Sequence, residues 1–299
     1  MEKLNYLKSY INIVKKNIDL ELKDISKLFS YNFHNFLDTR FLYTFTILSL
    51  LRPTSLINLK TQDINFKNQG INSKKKDKLI SLITGIELLG VGLNFHNFNV
   101  NDFIYLLKNV NPETKNTYKR YIIDLLFGDI FYSNSVKYVL EFNDFLIFKD
   151  ILESLKLVHN SRLILHNKLI KETEKNKNKL EFLFKNKLIA DNETLLIETN
   201  SLLKNSFLIG YNLMENEDKL KISVEDFIDL ANNFVMIKTF KDLELFLNDI
   251  SHELPVLKGI KFVKDRVAVI KKNIEKLIEN FKLDWLAQNL KSLAYIYFK

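Results

Sequence analysis

The chain has no cysteine, three prolines and seven glycines in 299 residues. Without cysteine there are no disulfides, no thiolate zinc sites, no iron–sulfur ligands and no cysteine nucleophile. Glycine supplies the positive-φ positions of tight turns and phosphate-cradling loops, and proline marks rigid turns and helix ends. A chain this poor in both has few places to build hairpins. The P-loop, the dinucleotide fingerprint and the Gly-x-Ser-x-Gly elbow are all missing from it. No segment reaches the roughly 18 apolar residues of a membrane span without a charge, and the longest candidate, Phe41 to Leu51, stops at Arg52. The opening MEKLNYLKSY mixes acid and base and lacks the apolar stretch of a secretory signal. Together these features lead us to expect a soluble, intracellular protein of the cytoplasm or an organellar matrix, with no membrane partner.

What is present is a globular balance of 46% hydrophobic and 27% charged residues, with a net charge of +8 and a pI of about 9.2. Heavy use of Lys, Asn, Ile and Phe is what an AT-rich genome writes by default, so the basic pI alone is no signature of nucleic-acid binding. The arginines carry more information, because only Arg40, Arg52, Arg120, Arg162 and Arg266 occur. A planar bidentate donor is what lysine cannot replace. The five histidines (His34, His96, His159, His166 and His252) are scattered, and no His-x-x-x-His or Glu-x-x-His spacing appears. We therefore expect neither metal nor cofactor.

Helical periodicity dominates. Leu4, Leu7, Ile11, Val14, Ile18, Leu22, Ile25 and Phe29 recur at three- and four-residue steps, as on one face of an amphipathic helix. Phe41–Leu51 is apolar on every side and reads as a buried helix ended near Pro53. Thr114–Phe127 and Ser135–Leu157 read as helices, and residues 158–209 as one or two long ones. Ser223 with Asp226 matches a capping box, Asp standing in for Glu or Gln. After Gly259 a last helix carries Val263, Val267, Ile270, Ile274, Leu277, Phe281 and Trp285. Residues 64–100 break the pattern: Ile64-Asn65-Phe66 alternates, Gly70 suggests a turn, Lys74–Lys78 is basic, and three glycines fall between Leu79 and Leu93. The expected fold is thus mostly α, an irregular multi-helix bundle with a small non-helical element, a β-hairpin or loop, near residues 64–100. The acidic stretch Asn212–Asp218 suggests a boundary between an N-terminal helical domain, 1–211, and a C-terminal one, 219–299.

Two partial motifs carry chemistry. Phe45–Asn65 (FTILSLLRPTSLINLKTQDIN) is an apolar helix leading into Arg-Pro-Thr-Ser and then Leu-x-x-Leu. It resembles the segment of tyrosine recombinases that holds their first catalytic arginine. The resemblance implies that Arg52 clamps a scissile phosphate, that a lysine of the 74–78 run serves as the hairpin lysine, and that His159 and Arg162, in HNSR, form the His-x-x-Arg pair. Leu51 stands where that family has Gly, Ser55 stands where it has Glu, and no tyrosine sits at the nucleophile's distance. The second motif is Val158–Leu169 (VHNSRLILHNKL), where Arg162 and His166 fall one helical turn apart. That pair resembles the Arg–His pair of HEPN-type ribonucleases, which acts on RNA phosphates.

We expect from this a basic helical protein that works by association, with nucleic acid or within a nucleoprotein complex, through Lys74, Lys75, Lys76 and Lys78 with Arg52. The enzymatic alternative is a recombinase-like strand-breaking protein or a degenerate relative, with Arg52, His159, Arg162 and His166 as catalytic candidates. A third reading is a protein-only interaction module, such as a phage or host-defence factor.

Overall fold

Lys8–Phe29 forms one helix, α1, and it buries the stripe its spacing draws. Val14, Ile18, Leu22 and Ile25, with Leu7 just ahead of the helix, all face the core. The computed structural model describes residues 7–29, 41–52, 69–96, 115–175, 193–250 and 257–298. Among the described residues every regular element is a helix, as the low glycine and proline content implies.

The short helix α2 (Leu42–Ser49) is buried along most of its length. It starts from Phe41, held at φ 49° and offering no side-chain cap. The acceptor for its first turn comes from α3 (Gln69–Phe95), whose buried Glu87 takes the Thr44 N–H.

Helix α3 corrects the expectation of a non-helical element. No strand or hairpin occupies 64–100 among the described residues: one helix runs through Gly70, the Lys74–Lys78 stretch and all three later glycines. Residues 64–68 and 97–100 lie outside the described residues. Ile80, Leu82, Ile83, Ile86, Leu89 and Val91 are all buried, so the segment is apolar around its whole circumference rather than on alternate residues, the pattern of a central helix. Its glycines serve close approach instead of turns. A Cβ at Gly85 would come within 2.7 Å of Val139, and one at Gly92 within 2.6 Å of the Tyr132 ring, both on α4 (Lys115–Glu141). Glycine inside a helix costs about 1 kcal/mol against alanine, and here that loss lets two helix backbones close up. Lys74–Phe95 is also the one helix among the described residues long and apolar enough to cross a membrane. Of its most apolar window, 83% is buried within the protein.

Helix α4 ends at a turn the periodicity hides, so Ser135–Leu157 is not one helix. Asn143 takes φ 61°, and Asp144 Oδ1 accepts the N–H groups of Leu146 (3.0 Å) and Ile147 (3.2 Å) to start α5 (Phe145–Lys175). Then follow α6 (Glu193–Glu198), α7 (Ser201–Leu213), α8 (Asn216–Lys219), α9 (Val224–Ile250), α10 (Leu257–Asn280) and α11 (Asp284–Phe298). The expected cap of α9 is present: Ser223 Oγ accepts the Asp226 N–H at 3.3 Å. The last helix read from the sequence is in fact two, parted at 281–283, where Phe281 and Leu283 turn inward. Its stripe is core nonetheless, with Val263, Val267, Ile270 and Ile274 all buried.

Two hydrophobic clusters make up the interior. One surrounds α3 with α1, α4 and α5; the other joins α9, α10 and α11. Helices α2 and α7 contribute to both, Ile47 and Ile209 to the first and Leu50 and Phe207 to the second. The acidic stretch Asn212–Asp218 lies within this packing and buries Met214 and Asp218.

Candidate functional site

The residues singled out by sequence fall at opposite ends of α3. At its N-terminal end, Arg52 leaves α2 and grips Asp218 of α8 with one edge of its guanidinium: Nε donates to Oδ2 at 2.6 Å and Nη2 to Oδ1 at 2.5 Å. Glu215 lies 3.7 Å from Nη1. The hydrogen bond to Asp218, then the charges of Asp218, Glu215 and Glu217, hold the guanidinium above its ordinary pKa, with partial desolvation opposing. Asp218 is only 1% exposed, and this fork supplies a donor to each of its two buried oxygens.

Beside the pair opens a cleft of about 490 Å³. Arg52, Lys75 and Lys78 stand on its wall, with Phe142, Leu79 and Met214 among its apolar lining. Lys75 and Lys78 are three residues apart on a helix and so project to the same side. Lys74 is exposed next to them. Lys76 points elsewhere, over the ring of Tyr10 on α1 at 5.9 Å from its centroid. Burial pushes that phenol up to about 12. The basic run is therefore divided by helical geometry, with Lys75 and Lys78 toward the cleft and Lys76 toward α1.

At the C-terminal end of α3 a second group gathers. His159 Nε2 lies 3.0 Å from the Tyr132 hydroxyl. The His96 ring meets Tyr132 edge-on at 4.8 Å and His159 at 5.9 Å. His96 Nε2 is 3.0 Å from the Leu125 carbonyl, which can only accept, so that nitrogen carries a proton. Asp129 stands 3.5 Å from the same nitrogen. Arg162 Nη1 donates to the Leu93 carbonyl at 2.8 Å, so a cation sits at the negative end of α3. Its Nε is buried with no hydrogen-bond partner among the described residues.

Burial, then the charges of Arg162 and His96, push His159 below its ordinary pKa, so the imidazole is neutral at pH 7. Burial, aided by Asp129 and opposed by Arg162, raises Tyr132 and keeps it a phenol. Burial also lowers Arg162, which remains a cation because a guanidinium does not lose its proton in proteins. A neutral imidazole on a phenol beside a guanidinium can move a proton near an anion.

The sequence found His159 and Arg162 but not His96 or Tyr132, which come from two other helices and carry no local signature. The His166 side chain lies outside the described residues, as do those of Arg40 and Arg120. Arg52 does not join His159 and Arg162. About 21 Å of helix rise separates Leu79, at the cleft, from Leu93, under Arg162. Among the described residues no group of three His, Asp or Glu side chains is placed to hold a metal ion. No protein-family model matches this chain, and no curated protein is significantly similar to it in sequence.

Proposed function

We propose that this protein acts by binding nucleic acid at the N-terminal end of α3, with Lys74, Lys75 and Lys78 meeting phosphate. The observation that carries this reading is the convergence of Lys75 and Lys78 with Arg52, from a distant part of the chain, on one cleft. Arg52 is occupied by Asp218 and Glu215 and shapes the wall. The lysines have no ion pair among the described residues and remain open to an anion. A net charge of +8 favours approach to a polyanion. The reading carries with it a soluble, intracellular location, to which the absence of cysteine and the burial of the apolar helix both lend support.

The test is the salt dependence of binding, read by fluorescence anisotropy on labelled duplex and single-stranded oligonucleotides. Each phosphate contact adds about −0.9 to the slope of log affinity against log salt on duplex and about −0.7 on single strands. Replacing Lys74, Lys75 and Lys78 together by Ser weakens binding and flattens the slope by about two to three units on duplex. Lys76→Ser leaves it unchanged. An unaltered slope in the triple variant rejects this surface. No binding by the wild type at low salt rejects the function and favours a protein-only partner.

One observation favours a second reading, catalysis at the other end of α3: the Tyr132 hydroxyl, His159, His96 and Arg162 meet there. It retains His159 and Arg162 from the strand-breaking alternative and drops Arg52. A chelator-insensitive nuclease activity lost in His159→Gln would establish it.

A further inference from the structure

The cleft beside α3 is more than a basic patch, and its lining says which form of nucleic acid it suits. Most of its surface is apolar side chain, including Leu79, Met214 and Phe142. Phosphate alone has no use for such a floor. Phe142 sits in the turn between α4 and α5, is half-buried, and stacks on no other aromatic ring among the described residues. The cations Lys75 and Lys78 stand on the wall of the same cleft, and the nearby carboxylates are engaged by Arg52. Its volume of about 490 Å³ lies within the roughly 300–1,000 Å³ of ligand clefts.

We infer that this cleft receives one unstacked base of a single-stranded nucleic acid, with Phe142 as the stacking surface and Lys75 and Lys78 on the adjoining phosphates. This rests on the nucleic-acid reading above and narrows it. An aromatic platform inside a positively charged groove is the arrangement that holds single strands with little sequence preference. A duplex keeps its bases stacked and paired, so it presents phosphates to the lysines but nothing to the apolar floor. The position of Phe142 follows from the local fold: Asn143 at φ 61° ends α4, and Asp144 caps α5, so the residue before them is set at a corner.

The experiment compares three labelled probes of equal length on the wild-type protein: oligo-dT, the same strand with abasic residues, and a duplex. The expected result is tighter binding to oligo-dT than to the abasic strand, by about 5- to 150-fold, the range measured for one base stacked on an aromatic side chain. Phe142→Leu, which keeps an apolar group at the turn, removes that preference. Equal affinity for the abasic strand and oligo-dT overturns the inference while leaving the phosphate contact standing. A preference that survives in Phe142→Leu overturns it as well. If that variant does not fold, the abasic comparison on the wild type decides alone. Failure of every probe to bind overturns the nucleic-acid reading itself.

Discussion

Glu87, buried in the middle of α3, accepts the backbone N–H of Thr44 at 2.7 Å. The first turn of α2 thus gets its cap from a helix forty-three residues further along the chain. A carboxylate at a helix N-terminus also meets the positive end of the helix dipole. We predict that Glu87→Leu, which leaves the Thr44 N–H buried and unpaired, destabilises the protein by about 1–3 kcal/mol. Glu87→Gln, which keeps an acceptor, should cost less. Urea denaturation of the three proteins checks the order, and equal midpoints would show that the cap adds nothing.

Gly128 offers a test with an unusual sign. In an open helix Gly→Ala stabilises by up to about 1 kcal/mol. At Gly128 a Cβ would overlap the His96 ring, which is itself fixed by the Leu125 carbonyl and the edge of Tyr132. Gly128→Ala should therefore destabilise, by about 1–3 kcal/mol as overpacked sites do. A melting temperature at or above the wild-type value would contradict the packing described.

Acidification should cost stability through His159. Its folded pKa lies below the ordinary 6.5, so the unfolded chain takes up the proton first. Stability is then complete above pH 6.5 and falls as pH drops from there toward the lower folded value. His159→Gln removes this contribution. The loss of urea midpoint between pH 7.5 and pH 5.5 should be smaller in the variant than in the wild type, and an identical loss would place the acid sensitivity elsewhere.

The buried stripe of α10 predicts a severe outcome for Ile274→Asp. Ile274 is fully buried, and the variant both removes its packing and inserts an unpaired carboxylate. The cost should reach at least the about 2–5 kcal/mol of an Ile→Ala truncation in a core. An unchanged melting temperature with a monodisperse elution profile would mean that this face is not interior.

The helical character of the chain was legible because it rests on local quantities: few breakers, and apolar steps of three and four such as Val14, Ile18, Leu22 and Ile25. Residues 64–100 misled for a physical reason. Gly85, Gly90 and Gly92 resemble turn residues in the sequence, yet each lies under a side chain of a neighbouring helix. Contact glycines and turn glycines look alike until the neighbour is known. The corner at Asn143 was missed for the converse reason, since a left-handed Asn ends a helix without any glycine to mark it. The motifs around Arg52 and Arg162 marked both as candidates for holding a phosphate. That they instead hold Asp218 and the Leu93 carbonyl could not be read there, because both pairings depend on tertiary packing.

Helix α2 is finished by α11. The Thr46 hydroxyl lies 2.8 Å from the Tyr297 hydroxyl, and the Ser49 carbonyl accepts from Asn289 Nδ2 at 3.0 Å. During synthesis these partners leave the ribosome 251 and 240 residues after the groups they meet. Over that interval the Thr46 hydroxyl has only the Leu42 carbonyl of its own helix, the Ser49 carbonyl lacks Asn289, and the Leu50 side of the helix is uncovered. Contacts of such sequence separation close late and slowly. Until then the emerging protein presents a short, apolar segment to whatever chaperone attends it.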